Sequence, residues 1–457
     1  MASITCYGGV AEIGGNKFLI EDNGTRMFLD FGQSFSHLDD YFVEWLQPRT
    51  RFGLRDYFAL GLMPEIKGLY SQWAVERTEI EYCEPEYHGV FISHPHYDHI
   101  AHLRYLDHRI PVYLGEAAKL ILRSANETSN AGYLREAPVN TRDGSVIPAN
   151  DIRTFRTGKT IKLDSIEVIP VHVDHSVPGA YGFIVHTSEG TIAYTGDIRR
   201  HGTKPEMTQD FIEKARESQP DILIVEGTRV CPEENRENFS EDQVHSRSIE
   251  VAKDDGLVLA MRYPKDLDRF RTFYQVAKET GRKFVISLKT ANLLMKLKDD
   301  KALGLPDPFE DENIEVYKRE MKIYKPWEIP LLDKCVDSEW VKKNSRILWE
   351  LDFFQLTELV DVKPQGGNCI HSMSEPFEED PMSQVQDEVM KNWLDRFSLE
   401  YHQLHASGHS SMQEIFDIVK EIGPKSIVPV HTNYPDLFES VGPKTIIPKI
   451  GEKIELK

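Results

Sequence analysis

The segment Gly89-Val90-Phe91-Ile92-Ser93-His94-Pro95-His96-Tyr97-Asp98-His99 decides how this chain is read. Its first half is an apolar run that predicts a buried strand. Its second half packs three imidazoles and a carboxylate where the strand should give way to a loop. His94 and His96 are two residues apart, so on extended backbone they point the same way. Asp98 and His99 then turn to a second direction. One short segment can therefore offer two ligands to one cation and two to its neighbour. Nitrogen and oxygen donors of this kind suit Zn²⁺ and are compatible with Mn²⁺ or Fe²⁺.

At 457 residues the chain is too long for one simple core, so two or three domains, or one domain with a large insertion, are expected. Its hydrophobic content of 40% and charged content of 28% are those of an ordinary globular protein. The net charge of −20 argues against a nonspecific nucleic-acid coat. It leaves room for nucleic acid in a locally basic, metal-lined cleft, where bound cations dominate the field. Cys6, Cys83, Cys231, Cys335 and Cys369 are scattered without a C-x-x-C pair, which suggests neither a zinc finger nor a disulfide framework. Glu12 interrupts any leader-like apolar stretch, and no run approaches a membrane span. The expectation is a protein of the reducing cytoplasm with no membrane partner.

Around the cluster, strand-like runs dominate the first half of the chain. Residues 4–7, 16–21 and 25–30 read as a meander with a hairpin turn at Asp22-Asn23-Gly24. Residues 35–80, rich in aromatics, Arg and Pro, read as an irregular insertion with short helices, either a lid or partner surface or a packed decoration. Strands are expected near 112–114, 152–155, 166–173, 182–187, 191–195 and 222–225, giving a β-rich sandwich with helices outside. After about residue 231 the pattern becomes strand–helix alternation, the mark of a separate α/β unit. Residues 301–345 are charged and irregular, and Cys369-Ile370-His371-Ser372 precedes an acidic, Pro-punctuated loop. From about 398 the chain returns to the first fold, with a helix over 410–422 and a strand over 426–430 that ends at His431.

A site for two cations needs more donors. His175 follows the 166–173 strand and Asp197 follows the 191–195 strand, so both sit at strand ends where donors from different strands converge. Asp197, a carboxylate, could bridge. His172 is the competitor of His175 but falls within the strand pattern. His431, after Val428-Pro429-Val430, is the last candidate.

In this order, Asp30, the 94–99 cluster, His175 and Asp197 resemble the successive motifs of the metallo-β-lactamase fold. Downstream the resemblance narrows. Leu223-Ile224-Val225-Glu226-Gly227-Thr228 looks like the β-CASP motif with an acidic residue after a strand. His405-Ala406-Ser407-Gly408-His409 looks like the H-x-S-G-H loop of ribonuclease J, and Pro429-Val430-His431 like the terminal P-V-H motif of that group. The chain is thus similar to ribonuclease J-like β-CASP nucleases, in a short form without the extra carboxy-terminal domain.

That resemblance implies an α/β fold: an αββα metallo-β-lactamase sandwich over 1–231 and 398–457, with an α/β β-CASP domain inserted over 232–397. It implies two Zn²⁺, with Mn²⁺ as an alternative. His94, His96 and His175 would hold one, and Asp98, His99 and His431 the other. Asp197 would bridge them, and Asp30 would support ligand orientation. The catalytic set would be Asp98, Glu226 and His409, with His409 as the acid that protonates the leaving 3′-oxygen. His405, Ser407 and Gly408 would hold a substrate phosphate, helped by the dipole of the helix begun at Ser410-Ser411. Arg262, Lys265, Arg269 and Arg271 are candidate backbone binders. The implied partner is single-stranded RNA with a 5′-monophosphate, cut 5′-to-3′ with some internal cleavage, in RNA processing or decay. A homodimer is expected by analogy.

The residues alone leave rivals open. A DNA-processing β-CASP nuclease, a small-ester metallohydrolase on the same fold, and a non-catalytic RNA-binding relative share parts of the pattern. Thr432 departs from the family, which commonly carries Gly after the P-V-H histidine.

Overall fold

The computed structural model of the chain describes residues 1–43, 45–129, 132–140, 146–233, 237, 239–376 and 381–456. The end of the acidic loop noted above, residues 377–380, lies outside them. Two seven-stranded sheets and one six-stranded sheet carry the architecture. The first sheet runs in the order Lys453–Glu455, Ser3–Gly8, Lys17–Asp22, Thr25–Leu29, Gly89–Phe91, Val112–Gly115, Ile152–Phe155. The second runs Lys444–Thr445, Ser426–Val430, Ile222–Glu226, Thr191–Tyr194, Tyr181–His186, Ile166–His172, Ile161–Leu163.

The inner faces of these sheets interdigitate through Phe18, Phe91, Phe183, Tyr194 and Val428. Helices cover the outer faces, as the αββα expectation requires. Ile222–Glu226 shows how sequence produces this. The strand is central and parallel to both neighbours, so both of its faces are covered and every residue is buried. Ile222 and Ile224 enter the core between sheets, while Leu223 and Val225 meet the helices Pro205–Glu217 and Met412–Ile422. On the other flank, short helices at Ser36–Asp39, Arg55–Ala59 and Gln72–Val75 lie in the 35–80 insertion. There Leu54, Tyr57, Leu69 and Val75 pack against Phe28, Val90 and Ile100.

The third sheet is parallel throughout: Ile314–Tyr317, Lys283–Ser287, Ile347–Glu350, Leu257–Arg262, Gly367–Ser372, Leu399–Gln403. Its last strand reaches six residues past 397. Helix Leu288–Leu297 follows directly on strand Lys283–Ser287, and Ser287 caps it by accepting from the Thr290 N–H at 3.2 Å. Helix Glu116–Thr128 of the sandwich packs on helix Leu288–Leu297 of this unit, with Ser124 Oγ donating to Asn292 Oδ1 at 2.7 Å. Among the described residues no helix is long and apolar enough to cross a membrane.

Candidate metal centre

The strand ends of the two inner sheets converge on one cluster. His94, His96, His175 and Asp197 form one donor group, and Asp98, His99, His431 and the same Asp197 form a second. Asp197 Oδ2 is shared, standing 3.3 Å from His94 Nε2 and 3.3 Å from His99 Nε2. In the first group His96 Nδ1 lies 3.0 Å from His94 Nε2 and 3.1 Å from His175 Nε2. In the second, His431 Nε2 lies 2.7 Å and His99 Nε2 3.4 Å from Asp98 Oδ2.

Three of the imidazoles are oriented by a partner on the far side. His99 Nδ1 meets Asp30 Oδ2 at 2.8 Å, and Asp30 also accepts from the Ser93 N–H, the Ser93 hydroxyl and the Tyr194 hydroxyl, each at 2.7 Å. His175 Nδ1 donates to the Gly408 carbonyl at 2.6 Å. Thr228 is a link that sequence reasoning missed. Its hydroxyl donates to Glu226 Oε2 at 2.7 Å, so its oxygen accepts from His431 Nδ1 at 2.9 Å. These bonds place the protons on Nδ1 and turn Nε2 lone pairs of His99, His175 and His431 inward.

Lone pairs crowded this closely repel unless a cation or protons lie between them. Asp197 Oδ1 is buried without a hydrogen-bond partner, an acceptor that burial penalises unless something positive meets it. Burial alone would raise the Asp197 carboxyl, but the His99 and His94 imidazoles hold it well below its usual range. The donor set thus fits two divalent cations sharing Asp197. Backbone strain supports it. Asp30 and His431 adopt positive φ, 58° and 52°, at roughly 1–3 kcal/mol each for non-glycine residues. His431 is held there by its N–H donating to the Gly9 carbonyl at 2.7 Å.

Beside the cluster, His409 Nδ1 lies 3.0 Å and 3.1 Å from the two Glu226 oxygens. Burial lowers the His409 imidazole, but Glu226 and then Asp197 outweigh it and the net direction is upward. Glu226 is itself fixed by the Ile198 N–H at 2.9 Å. The loop carrying His409 is clamped from both units. Arg199 donates to the Ser407 carbonyl at 3.1 Å, His201 Nε2 reaches the same oxygen at 3.0 Å, and Arg269 donates to the Ala406 carbonyl at 3.2 Å.

His405, Ser407 and Gly408 line the cleft above the cluster together with His409. A Cβ at Gly408 would stand 2.8 Å from His175 Cε1, so only glycine fits there. His172 is excluded from the cluster: its ring stacks on Tyr181 at 4.1 Å.

Two sequence expectations are corrected. The amino end of helix Met412–Ile422 does not offer an open anion site, because Ser411 and Glu414 form a reciprocal capping box. Glu414 Oε2 accepts the Ser411 N–H at 2.8 Å and brings a carboxylate to that end. The motif S-x-x-E at 411–414 was the available signal. Nor are the arginines free for phosphates. Arg262 is buried against Glu350 at 2.7 Å, Arg269 against Glu241 at 3.0 Å, and Arg271 pairs with Asp268 at 3.0 Å. Lys265 donates to the Pro95 carbonyl at 2.7 Å.

Residues 70–255 match the beta-lactamase superfamily domain, and residues 396–438 match the Zn-dependent metallo-hydrolase RNA specificity domain. The chain is 23% identical over 446 residues to ribonuclease J of Mycoplasma pneumoniae (strain ATCC 29342 / M129 / Subtype 1), covering 94% of this chain and 68% of that one. To ribonuclease J2 of Bacillus subtilis (strain 168) it is 21% identical over 439 residues, covering 94% and 69%. The crystal structure of a protein of unknown function from Enterococcus faecalis V583 shares the fold, with a TM-score of 0.77, 24% identity and 99% coverage of both chains. With its donor clusters, Glu226–His409 pair and inserted parallel sheet, the chain is a ribonuclease J-like β-CASP protein of the metallo-β-lactamase superfamily.

Proposed function

We propose that this chain is a two-metal phosphodiesterase that hydrolyses RNA in RNA processing or decay, acting as a cytoplasmic 5′-to-3′ exoribonuclease with some internal cleavage. The observation that carries it is the Asp197 oxygen shared between two donor groups, with the Glu226–His409 pair alongside. His94, His96 and His175 would hold one cation, and Asp98, His99 and His431 the other, with Asp197 between. Zn²⁺ suits this nitrogen-rich set best, and Mn²⁺ is the alternative. When bound, the cations supply positive charge at the phosphoryl oxygens and acidify water.

The remaining chemistry belongs to the chain. Glu226 biases the His409 imidazole towards its protonated form, and its Nε2 would deliver that proton to the leaving 3′-oxygen. Oriented by Thr228, Ile198 and the clamped loop, the pair pays little reorganisation during the reaction. Burial and the Arg269 charge push the His405 imidazole well below its usual range, so His405 would meet a phosphate as a neutral hydrogen-bonding group beside Ser407 and Gly408. A pocket for a terminal 5′-monophosphate there would set the register of end-directed cutting. The insertion over 232–397 would form the far wall of the cleft, and a homodimer is the assembly we expect.

One RNA labelled at either end, carrying a 5′-triphosphate, monophosphate or hydroxyl, tests the reading. Mononucleotide release from the monophosphate form alone supports it. Internal fragments from all three would make the enzyme an endonuclease. Preference for a matched DNA strand, or no cleavage of any strand by metal-loaded protein, would overturn the RNA assignment.

A further inference from the structure

The cleft over the donor cluster has a volume of about 470 Å³. Imidazoles, carboxylates and hydroxyls make its floor, but its border is aromatic. Phe35, Tyr97 and Tyr263 line it with 44%, 41% and 41% of their surfaces exposed. Rings of this size gain on the order of 2 kcal/mol by burial, so three exposed around one cleft call for a ligand-based reason. They come from separate segments: the start of the insertion, the loop of the donor cluster, and the end of strand Leu257–Arg262 in the third sheet.

The rings are held in place. Phe35 and Tyr97 lie 6.3 Å apart at 24°, and the Tyr97 hydroxyl donates to Gln33 Oε1 at 3.2 Å. Tyr263 stands edge-on to the His405 imidazole at 6.2 Å and 73°. Two residues on, the bond from Lys265 to the Pro95 carbonyl ties this segment to the donor loop.

The rings also mark two different places in the cleft. A Cβ at Gly14 would touch Asp98 Cβ at 3.0 Å and Phe35 Cδ2 at 3.1 Å, so a single backbone residue lies between the Phe35 ring and the side chain of the donor Asp98. Tyr263 belongs instead to the His405 side.

We propose that the Phe35–Tyr97 pair and Tyr263 are two base-stacking platforms, which receive the unpaired bases on either side of the phosphate that is cut. This rests on the reading that the cleft cleaves RNA. Every base has a π-face, so stacking on a fixed ring grips any sequence and contributes roughly 1–3 kcal/mol per base. A base inside a duplex already has both faces covered, so the platforms select a single strand without reading its sequence.

The test pairs protein and substrate deletions. Phe35→Leu and Tyr263→Leu keep an apolar side chain but remove the π-face, whereas Phe35→Tyr and Tyr263→Phe keep the ring. Substrates are a 5′-monophosphorylated RNA and its copies with one abasic residue at the first, second or third nucleotide. Each leucine variant should raise KM about tenfold with kcat nearly unchanged, and the ring-keeping variants should stay within about twofold of wild type. An abasic residue at one position should cost wild type a similar factor, and that loss should vanish in the matching leucine variant. If leucine lowers the melting temperature, methionine at the same position takes its place. Leucine variants with unchanged KM, or protein and abasic losses that simply multiply, overturn the platforms while leaving the RNA reading intact. A wild-type protein that cleaves no RNA overturns that reading itself.

Discussion

His175 Nδ1 donates to the Gly408 carbonyl oxygen at 2.6 Å, joining a donor of the sandwich to the loop that carries His409. The metal cluster and the proposed acid are therefore positioned by one backbone group. Gly408→Ala would drive a methyl into the His175 ring, which lies within 2.8 Å of that Cβ position. The expected result is a drop of about 10–100-fold in both cation affinity and turnover. Metal titration alongside single-turnover cleavage checks it. Full cation affinity in the variant would mean that the ring is fixed by its other contacts.

His409→Ala should behave differently. It removes the proposed proton donor and none of the seven proposed ligands, so turnover should fall by about 10²–10⁴ while the two cations remain bound. Elemental analysis of the purified variant separates this from a metal-site defect. Parallel loss of metal would remove His409 from the acid role.

Chelation should destabilise the fold. Within each group the donor atoms lie within 4.8 Å of one another, so without cations their lone pairs and charges face each other. Saturation with a divalent cation at a hundred times its dissociation constant should stabilise by about 2.7 kcal/mol per independent site. Calorimetry of chelated and reloaded protein reads this directly, and Asp197→Asn should erase most of the difference.

A pH-dependent term should arise away from the donors. Glu241 is buried between Arg269 and Arg199, at 3.0 Å and 3.4 Å. Burial pushes its carboxyl up, but the two guanidinium groups outweigh this and hold it at about 2. A carboxyl lowered on folding adds stability that is complete above its unfolded value, roughly 4.3, and is lost as pH falls towards the folded value. Glu241→Gln should therefore cost about 3–5 kcal/mol at pH 7, and the gap to wild type should narrow below pH ~4.3. Urea unfolding at pH 7, 5, 4 and 3.5 measures it. A constant gap across that series would show that the loss is steric.

The 94–99 cluster was legible because its donors are contiguous and follow an apolar strand. His175, Asp197 and His431 were legible as strand-end donors only in company. Thr228 was not, since its role depends on Ile222–Glu226 lying beside Ser426–Val430. Arg262 and Arg269 were misread for a related reason. Their partners, Glu350 and Glu241, arrive from other elements, and a sequence shows a charge without showing what neutralises it. Much of the third sheet escaped detection too. Gly366 and Gly367, both at positive φ, stand at the start of Gly367–Ser372 and mask a strand whose central residues are buried.

The strand Ser426–Val430 pairs in parallel with Ile222–Glu226, so Val430 lies beside Glu226 only after the whole intervening unit has been made. During synthesis, at roughly 5–20 residues per second, the nascent chain therefore presents a sheet edge without its final neighbour for some 10–40 s. His431 stands one residue beyond that last strand. On the proposed ligand assignment the growing polypeptide lacks its last donor throughout this interval, so the donor set would close only once translation has passed His431.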